Sequence, residues 1–465
     1  MSTIAAIATP AGTGGIAVIR ISGTEAMSAT DKIFRPIKKG KAITAASTYT
    51  MLYGTIVDPS NGIEVDDVIV SVFRAPHSFT AEDTVEIACH GSKYIQHTIL
   101  NLLIVVGCTM AEPGEFTRRA FMNGRIDLSQ AEAVADLIHA TSASAHQVAI
   151  NQMRGNVSTR LGELRNKLLH LTSLLELELD FSDHEELEFA DRTELKEISH
   201  DIHAEIARLA NTFATGDAIK NGIPVAIVGE TNAGKSTLLN LIVGDERAIV
   251  SDIHGTTRDV IEDTVTIRGQ LFRFIDTAGI RQTDDIIENL GIERTYSMIE
   301  RSQIVLWVVD STSVTEHVEW LAERILRRAD GKPVIIVLNK TDCLDSEETT
   351  ILRNIFSTYQ APMVEISAKY QRNTENLIDS LYQAAAIDAT ATTDVIITNA
   401  RHYEALTHAG QCIEAVIAAL EQNVPTDLIA QDLRECLHHL AEITGGEITT
   451  PEVLSNIFQH FCIGK

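Results

Sequence analysis

Residues 229–236 read Gly-Glu-Thr-Asn-Ala-Gly-Lys-Ser, a glycine-rich turn that directly follows the apolar run 223–228. The spacing G-x-x-x-x-G-K-S gathers a string of backbone N–H groups, one ammonium and one hydroxyl around a single point. That set suits a polyphosphate. The loop Asn232, Ala233, Gly234, Lys235, Ser236, Thr237 wraps its oxygens, Lys235 reaches the β- and γ-phosphates, and Ser236 offers a hydroxyl to Mg2+. Four further groups follow in chain order. Gly255-Thr256-Thr257-Arg258-Asp259 supplies Thr257 as a second hydroxyl for the metal, and Asp276-Thr277-Ala278-Gly279 brings a carboxylate and a glycine amide beside the metal and the γ-phosphate. Asn339-Lys340-Thr341-Asp342 ends in a carboxylate that can accept from guanine N1–H and its 2-amino group, a pair adenine lacks. The backbone of Ser367-Ala368-Lys369 can meet guanine O6. Such paired polar contacts reject the wrong base, because its buried partners would go unbonded. Five motifs in this order specify a GTPase.

These groups need strand ends to hold them. The run 223–228 reads as a buried strand and 237–243 as a helix, with further strands over 272–276, 334–338 and 363–366. Residues 1 to about 120 read as an α+β domain, with strands over 4–8, 16–21, 50–57, 67–73 and 84–89 and a helix over 92–106. Within it Gly12-Thr-Gly-Gly-Ile-Ala17 matches a dinucleotide-binding spacing. A strand rather than a helix follows, so that reading fails its context. From about 127 to 215 the period becomes helical. Leu161, Leu164, Leu168, Leu171 and Leu175 form one stripe, and Leu195, Ile198, Ile202, Ile206, Leu209 and Phe213 another, on two antiparallel helices separated by the acidic break 180–188. Tyr403, Leu406, Ile413, Ile417 and Leu420 resume the pattern, as do Leu433, Leu437 and Leu440. The stripes read as bundle core. The fold class is therefore multidomain α/β and α+β: an α+β domain (1–121), a helical domain in two parts (122–218 and 387–465), and a Ras-like P-loop domain (219–386) inserted between them. The Ala/Thr-rich stretch 384–393 reads as a linker.

A length of 465 residues fits about three domains at roughly 150 residues each. No run approaches the ~18 uninterrupted apolar residues of a membrane span, and residues 1–11 lack the basic and apolar regions of a secretion signal. Six cysteines (Cys89, Cys108, Cys343, Cys412, Cys436, Cys462) form neither a C-x-x-C pair nor a zinc spacing, which points to a reduced cytoplasm. A net charge of −26 argues against a broad grip on nucleic acid, so any RNA must be held by a partner or a local patch.

Over nearly its whole length the chain resembles the MnmE (TrmE) family of tRNA-modification GTPases, a TrmE-Era-EngA-like P-loop group. The resemblance rests on Ala8-Thr-Pro-Ala-Gly-Thr-Gly-Gly15, Val18-Ile-Arg-Ile-Ser-Gly23 and Ser78-Phe-Thr-Ala-Glu-Asp83. Glu112-Pro-Gly-Glu-Phe116, Asp127-Leu-Ser-Gln-Ala-Glu-Ala133 and Phe461-Cys-Ile-Gly-Lys465 extend it. It implies a folate-binding N-terminal domain, and joint action with the FAD-containing protein MnmG on C5 of the wobble uridine of certain tRNAs, the tRNA being held mostly by the partner. It also implies a homodimer through the N-terminal domains, with G domains that meet in the GTP state. Carried onto matching positions, Arg20, Glu86, Arg125 and Lys465 would hold a 5-formyl- or 5,10-methylene-tetrahydrofolate. The two arginines suit the glutamate tail, and Glu86 suits the amino-pyrimidine ring. Arg125 stands where relatives can carry lysine, a fork in place of a point charge. Cys462 would take part in one-carbon transfer, and a neighbouring lysine favours its thiolate. Cys-Ile-Gly-Lys fits a prenylation box poorly.

Where Ras-like proteins carry a water-orienting glutamine after the Asp-x-x-Gly motif, this chain has Ile280, which cannot polarise water. Asp284, Asp285 and Glu288 are acidic candidates downstream, and the family's catalytic glutamate maps to Glu288. Arg281 reads as a loop-structuring residue rather than an arginine finger. The resemblance implies a potassium ion instead, with ligands from the Asn232 side chain in the phosphate loop and from oxygens of Ser251, Ile253 and Thr256 in the loop before Thr257, which also includes Asp252, His254 and Gly255. A cation there offsets charge developing at the β–γ bridge. The competing class, a regulatory GTPase in ribosome assembly or stress signalling, would call for an RNA-binding G-x-x-G appendage in a basic setting. Gly410 and Gly445-Gly446 do not begin one.

Overall fold

A computed structural model of the chain describes residues 2–38, 40–180, 192–244, 263–275, 288–313, 316–385, 395–422, 424–446, 458, 461 and 464. It divides into two compact units. One comprises Met1–Ala135, Gln152–Asn166 and Arg434–Lys465, the other Asp136–Asn151 and Lys167–Leu433.

The first unit is built on a seven-stranded sheet. Its strands are β1 (Ile4–Ile7), β2 (Ile16–Ser22), β3 (Phe34–Pro36), β4 (Thr50–Val57), β5 (Glu64–Phe73), β6 (Thr84–His90) and β7 (Thr109–Met110), in the order β3-β4-β5-β6-β2-β1-β7. Every neighbouring pair is antiparallel except β1 and β7. Alternation along the strands creates the layering: Val68, Val70 and Val72 of β5 are buried, whereas Ile69 between them is 41% exposed. Helices Ala26–Ile33 and Lys93–Val105 close the inner face with Met27, Ile33, Ile99 and Leu103. The glycine loop at 12–15 leads straight into β2, as its apolar sequel requires.

The second unit carries a six-stranded sheet: β8 (Ile223–Gly229), β9 (Asp263–Ile267), β10 (Gln270–Phe274), β11 (Ile304–Asp310), β12 (Val334–Asn339) and β13 (Met363–Glu365). The order is β13-β12-β11-β8-β10-β9, and only the β9–β10 pair is antiparallel. Continuous apolar sequence in β8, β11 and β12 reflects burial on both faces. Val225 and Ile227 pack with Leu238, Leu377 and Leu381, while Ala226 and Val228 pack with Ile299, Ile325 and Phe356. The chain leaves β8 toward the β10–β9 side and leaves the neighbouring β11 toward β12, and these opposite connections open a crevice at the carboxyl ends of the two strands. Helices flank this sheet in sequence on both sides. Among them Arg192–Asn211 and Ala400–Glu421 pack together, with His203 pairing with Glu414 at 3.0 Å, and Phe213, which begins the next helix (Phe213–Asn221), stacks on Tyr403 at 4.6 Å. Residues entering and leaving the sheet are thus joined, as an inserted P-loop domain demands. Among the described residues no helix is long and apolar enough to cross a membrane.

Candidate functional site

The glycine-rich loop sits at that crevice, between β8 and the helix Lys235–Gly244. Asn232 (φ 64°) and Gly234 (φ 93°) curl the backbone. A Cβ on Gly234 would lie 2.2 Å from Asn339 Nδ2, so only glycine lets the loop approach this closely. Lys235 donates through Nζ to the carbonyls of Gly229 (2.8 Å) and Glu230 (2.6 Å), arching back over its own loop. Burial pushes its pKa down, and the nearby Glu230 partly restores it. An anion delivered here would stabilise this under-compensated ammonium. Ser236 occupies the first turn of the helix, whose free N–H groups and dipole add to the attraction.

Asn339 closes β12 and ties the phosphate loop to the base-reading loops. Its side chain, 3% exposed, donates to Ala233 O at 2.8 Å and accepts from Ala368 N at 3.0 Å. Lys340 follows in the left-handed region (φ 65°), and its Nζ pairs with Asp310 at the end of β11. Thr341 donates through Oγ1 to Ile366 O at 3.0 Å, which fixes the next residue, Asp342, against the Ser367 loop. A hydrogen bond from Ser367 and the charge of Lys369 keep the exposed Asp342 carboxyl below the usual range. Asp342 is therefore an acceptor at neutral pH. Ser367 and Arg372 exchange backbone bonds of 3.2 and 3.1 Å, so the Ser367-Ala368-Lys369 turn is closed on itself.

Ser251, Asp252, Ile253, His254, Gly255, Thr256 and Thr257 lie outside the described residues, as do Asp276, Thr277, Ala278, Gly279, Cys462 and Lys465. Glu288 begins the helix Glu288–Arg301. Of the expected potassium ligands only Asn232, on the exposed rim of the loop, is described.

A second constellation lies in the first unit. Arg20 and Glu86 are directly opposed on β2 and β6, and Arg20 Nε and Nη2 donate to Glu86 Oε1 at 2.9 and 2.8 Å. Arg20 also donates through Nη1 to Gly464 O at 3.0 Å, and its guanidinium lies 5.7 Å from the ring centres of Phe79 and Phe116. Gly464 has φ 94°, and a Cβ there would lie 2.6 Å from Ile7 O. Phe458 and Phe461 belong to the same cluster as Phe121, Ile126 and Leu128. Nearby, Arg119 bridges Glu82 (3.1 Å) and Glu115 (2.8 Å), and Ser22 donates to Glu82 at 2.8 Å. Arg125 is exposed, with no side-chain partner among the described residues. Sequence reasoning missed Phe79, Phe116 and Asp310. For Asp310 a signal existed, an acid closing an apolar strand as Asp276 does.

A family model described as the MnmE helical domain matches residues 128–462, and one described as the GTP-binding protein TrmE N-terminus matches residues 3–125. A curated tRNA modification GTPase MnmE of Parabacteroides distasonis is 56% identical over 465 residues, covering 100% of both chains. One of Phocaeicola vulgatus is 51% identical over 495 residues, covering 100% of this chain and 99% of its own. The crystal structure of a variant of Aquifex aeolicus Era bound to GDP.AlF4- is similar over 41% of this chain and 66% of its own, at 25% identity and a TM-score of 0.29.

Proposed function

The chain belongs to the MnmE family of tRNA-modification GTPases, and from that premise we propose how its own residues divide the work. The crevice at β8 binds GTP. Lys235 and the loop Asn232–Thr237 hold the phosphates, Asp342 reads the guanine edge, and the Ser367-Ala368-Lys369 turn meets O6. Ser236 and Thr257 would hold Mg2+. The exposed Asn232 fits a potassium set completed by Ser251, Ile253 and Thr256, a cation that would offset charge at the β–γ bridge. Glu288 orients the attacking water. The observation that carries this reading is the buried Asn339 side chain, which bonds the phosphate loop and the base loop at once. One ligand with a polyphosphate at one end and a purine at the other fits that spacing.

The Arg20–Glu86 pair, flanked by Phe79 and Phe116, supports a tetrahydrofolate site. Aromatic rings suit a flat pterin, and charged groups suit its amino-pyrimidine and carboxylates. In the structure Arg20 and Glu86 bond to each other, so folate must enter as a partner to the pair or part them. Arg125 is free to meet a glutamate tail, Lys465 completes the set, and Cys462 serves the one-carbon step. In this reading the chain is a cytoplasmic homodimer that acts with MnmG to build a carboxymethylaminomethyl-type group on C5 of the wobble uridine (position 34), the tRNA being held mostly by MnmG.

Asp342→Asn tests the reading. The purified variant should hydrolyse xanthosine triphosphate better than GTP, since the exchanged donor suits that base. In a deletion strain it should fail to restore the C5 substituent when digested tRNA is examined by mass spectrometry. Unchanged guanine preference would remove Asp342 from base reading. A normal nucleoside profile in the deletion strain itself would hand the function to a regulatory role.

A further inference from the structure

Three segments of the first unit meet at Arg20, and each brings one group to it. β2 supplies the arginine itself, the loop before β6 supplies Phe79, and the helix Glu115–Met122 supplies Phe116, both rings centred 5.7 Å from the guanidinium. The same three segments are tied together a second time. Ser22 lies two residues beyond Arg20 on the same face of β2, Glu82 three beyond Phe79, and Arg119 three beyond Phe116 on its helix. Arg119 Nη1 donates to Glu82 Oε1 and Oε2 at 3.3 and 3.1 Å, and Ser22 Oγ donates to Glu82 Oε2 at 2.8 Å. The other edge of Arg119, Nε and Nη2, donates to Glu115 Oε1 at 3.2 and 2.8 Å. Asn123, just past the helix, donates to Thr80 O at 2.7 Å and so adds a second tie to the loop. The side chains of Arg119 and Glu82 are 4% and 18% exposed, and Ser22 is fully buried.

From this geometry we infer that Glu82 is a positioning residue for Arg20: by joining Ser22 to Arg119 it holds Phe79 and Phe116 against the guanidinium, so that the arginine is oriented before a ligand arrives. The inference rests on the tetrahydrofolate reading of this site. A guanidinium is drawn to aromatic rings, and rings that cannot move leave it few orientations. A free arginine would lose rotamer freedom on binding, and prior confinement removes that loss from the binding step. Stability alone is a poor reason for the bridge, since the desolvation of two buried charges offsets most of their attraction. What the bridge secures is a fixed spacing between three segments that are distant in sequence. Glu82 differs in kind from Glu86. Glu86 touches the Arg20 fork directly, whereas Glu82 reaches it only through the two rings and the strand.

Glu82→Gln is the test, because glutamine keeps the size and an acceptor for Ser22 while the charge that holds Arg119 is lost. Arg119→Lys breaks the same bridge from the other side, since a point ammonium cannot span two carboxylates as a fork does. Calorimetric titration of the full-length protein with 5-formyl-tetrahydrofolate would measure the affinities. Each variant should bind about tenfold more weakly than wild type, the scale of one long side chain left unconfined. The double variant should lose no more than either single one, as expected for residues acting through one contact. Glu82→Gln placed on Arg20→Lys should change affinity by less than about twofold, because no planar fork remains for the rings to orient. Hydrogen exchange of the β2 and β6 amides should match wild type in every Glu82 variant. An affinity within about twofold of wild type for Glu82→Gln would overturn the proposal, since tenfold is one full step on the affinity scale. A full loss on the Arg20→Lys background would overturn it too, and so would faster exchange across β2 and β6, which would make Glu82 a support of the fold. Failure of the underlying reading looks different: wild type itself would not bind 5-formyl-tetrahydrofolate.

Discussion

Replacing Asn339 by alanine should damage the second unit and its nucleotide affinity together. Asn339 is 3% exposed and its two bonds, 2.8 Å to Ala233 O and 3.0 Å from Ala368 N, join groups that are themselves 0% and 4% exposed. Asn339→Ala leaves both main-chain groups dry and unpaired. Each such group costs about 1–3 kcal/mol, so the sum is about 2–6 kcal/mol. With a urea slope of about 3 kcal/mol/M, the unfolding midpoint should fall by about 0.7–2 M. Tryptophan fluorescence is the assay, because Trp307 and Trp320 both belong to the second unit, and Trp307 is 1% exposed in its core. GDP affinity should drop by about 100-fold, equivalent to about 2.7 kcal/mol, since the two loops lose their common tether. A midpoint shift under about 0.2 M, against that urea slope, would refute the reasoning even if binding were lost. Asn339 would then be a ligand contact rather than a clamp.

Gly464→Ala should weaken 5-formyl-tetrahydrofolate binding as much as Arg20→Ala does, because its Cβ would press on Ile7 O and withdraw the carbonyl that Arg20 holds. Calorimetric titration would check this, and unchanged affinity would separate the 464 region from the site. The thiols of Cys89 and Cys108, buried in the first unit's core, are both pushed up to about 11. An unfolded thiol ionises near about 8.5, so between about pH 8.5 and 11 the unfolded chain binds fewer protons than the folded one. Stability of the first unit should therefore be flat below that window and fall through it, by at most about 3 kcal/mol per thiol. Hydrogen exchange of the β6 amides would follow the fall, and a Cys89→Ala, Cys108→Ala double variant should lose the slope.

Legibility in the sequence tracked how local each cause is. The phosphate loop could be read because its chemistry is backbone chemistry packed into eight consecutive residues, with a strand and helix on either side. β8 and β12 could be read as buried strands from unbroken apolar runs, whereas β11, whose run is as unbroken, was not among the strands expected. β3 and β7, at three and two residues, are too short to carry a period. Neither the pairing of Arg20 with Glu86 nor that of Lys340 with Asp310 could be read locally. The first is set by the β2–β6 register and the second by that of β11 and β12. The Arg119 network joins a helix to residues 82 and 22 through the same kind of tertiary placement. Family resemblance supplied Arg20 and Glu86 as ligands, but not that they would bond one another.

The contact between Arg20 and Gly464 spans 444 positions of chain, and this has a consequence in time. A ribosome adding about 5–20 residues per second needs about 20–90 s to travel that distance. Once Leu128 has been made, early in that interval, the first sheet can already be folded, while the apolar surface of Phe121, Ile126 and Leu128 waits for Phe458 and Phe461 to be made. The whole second unit is synthesised in between. Each molecule therefore passes through a long adolescence with a sticky, half-roofed first unit, and its yield in a cell should depend on chaperone cover during those seconds more than on how fast either sheet folds.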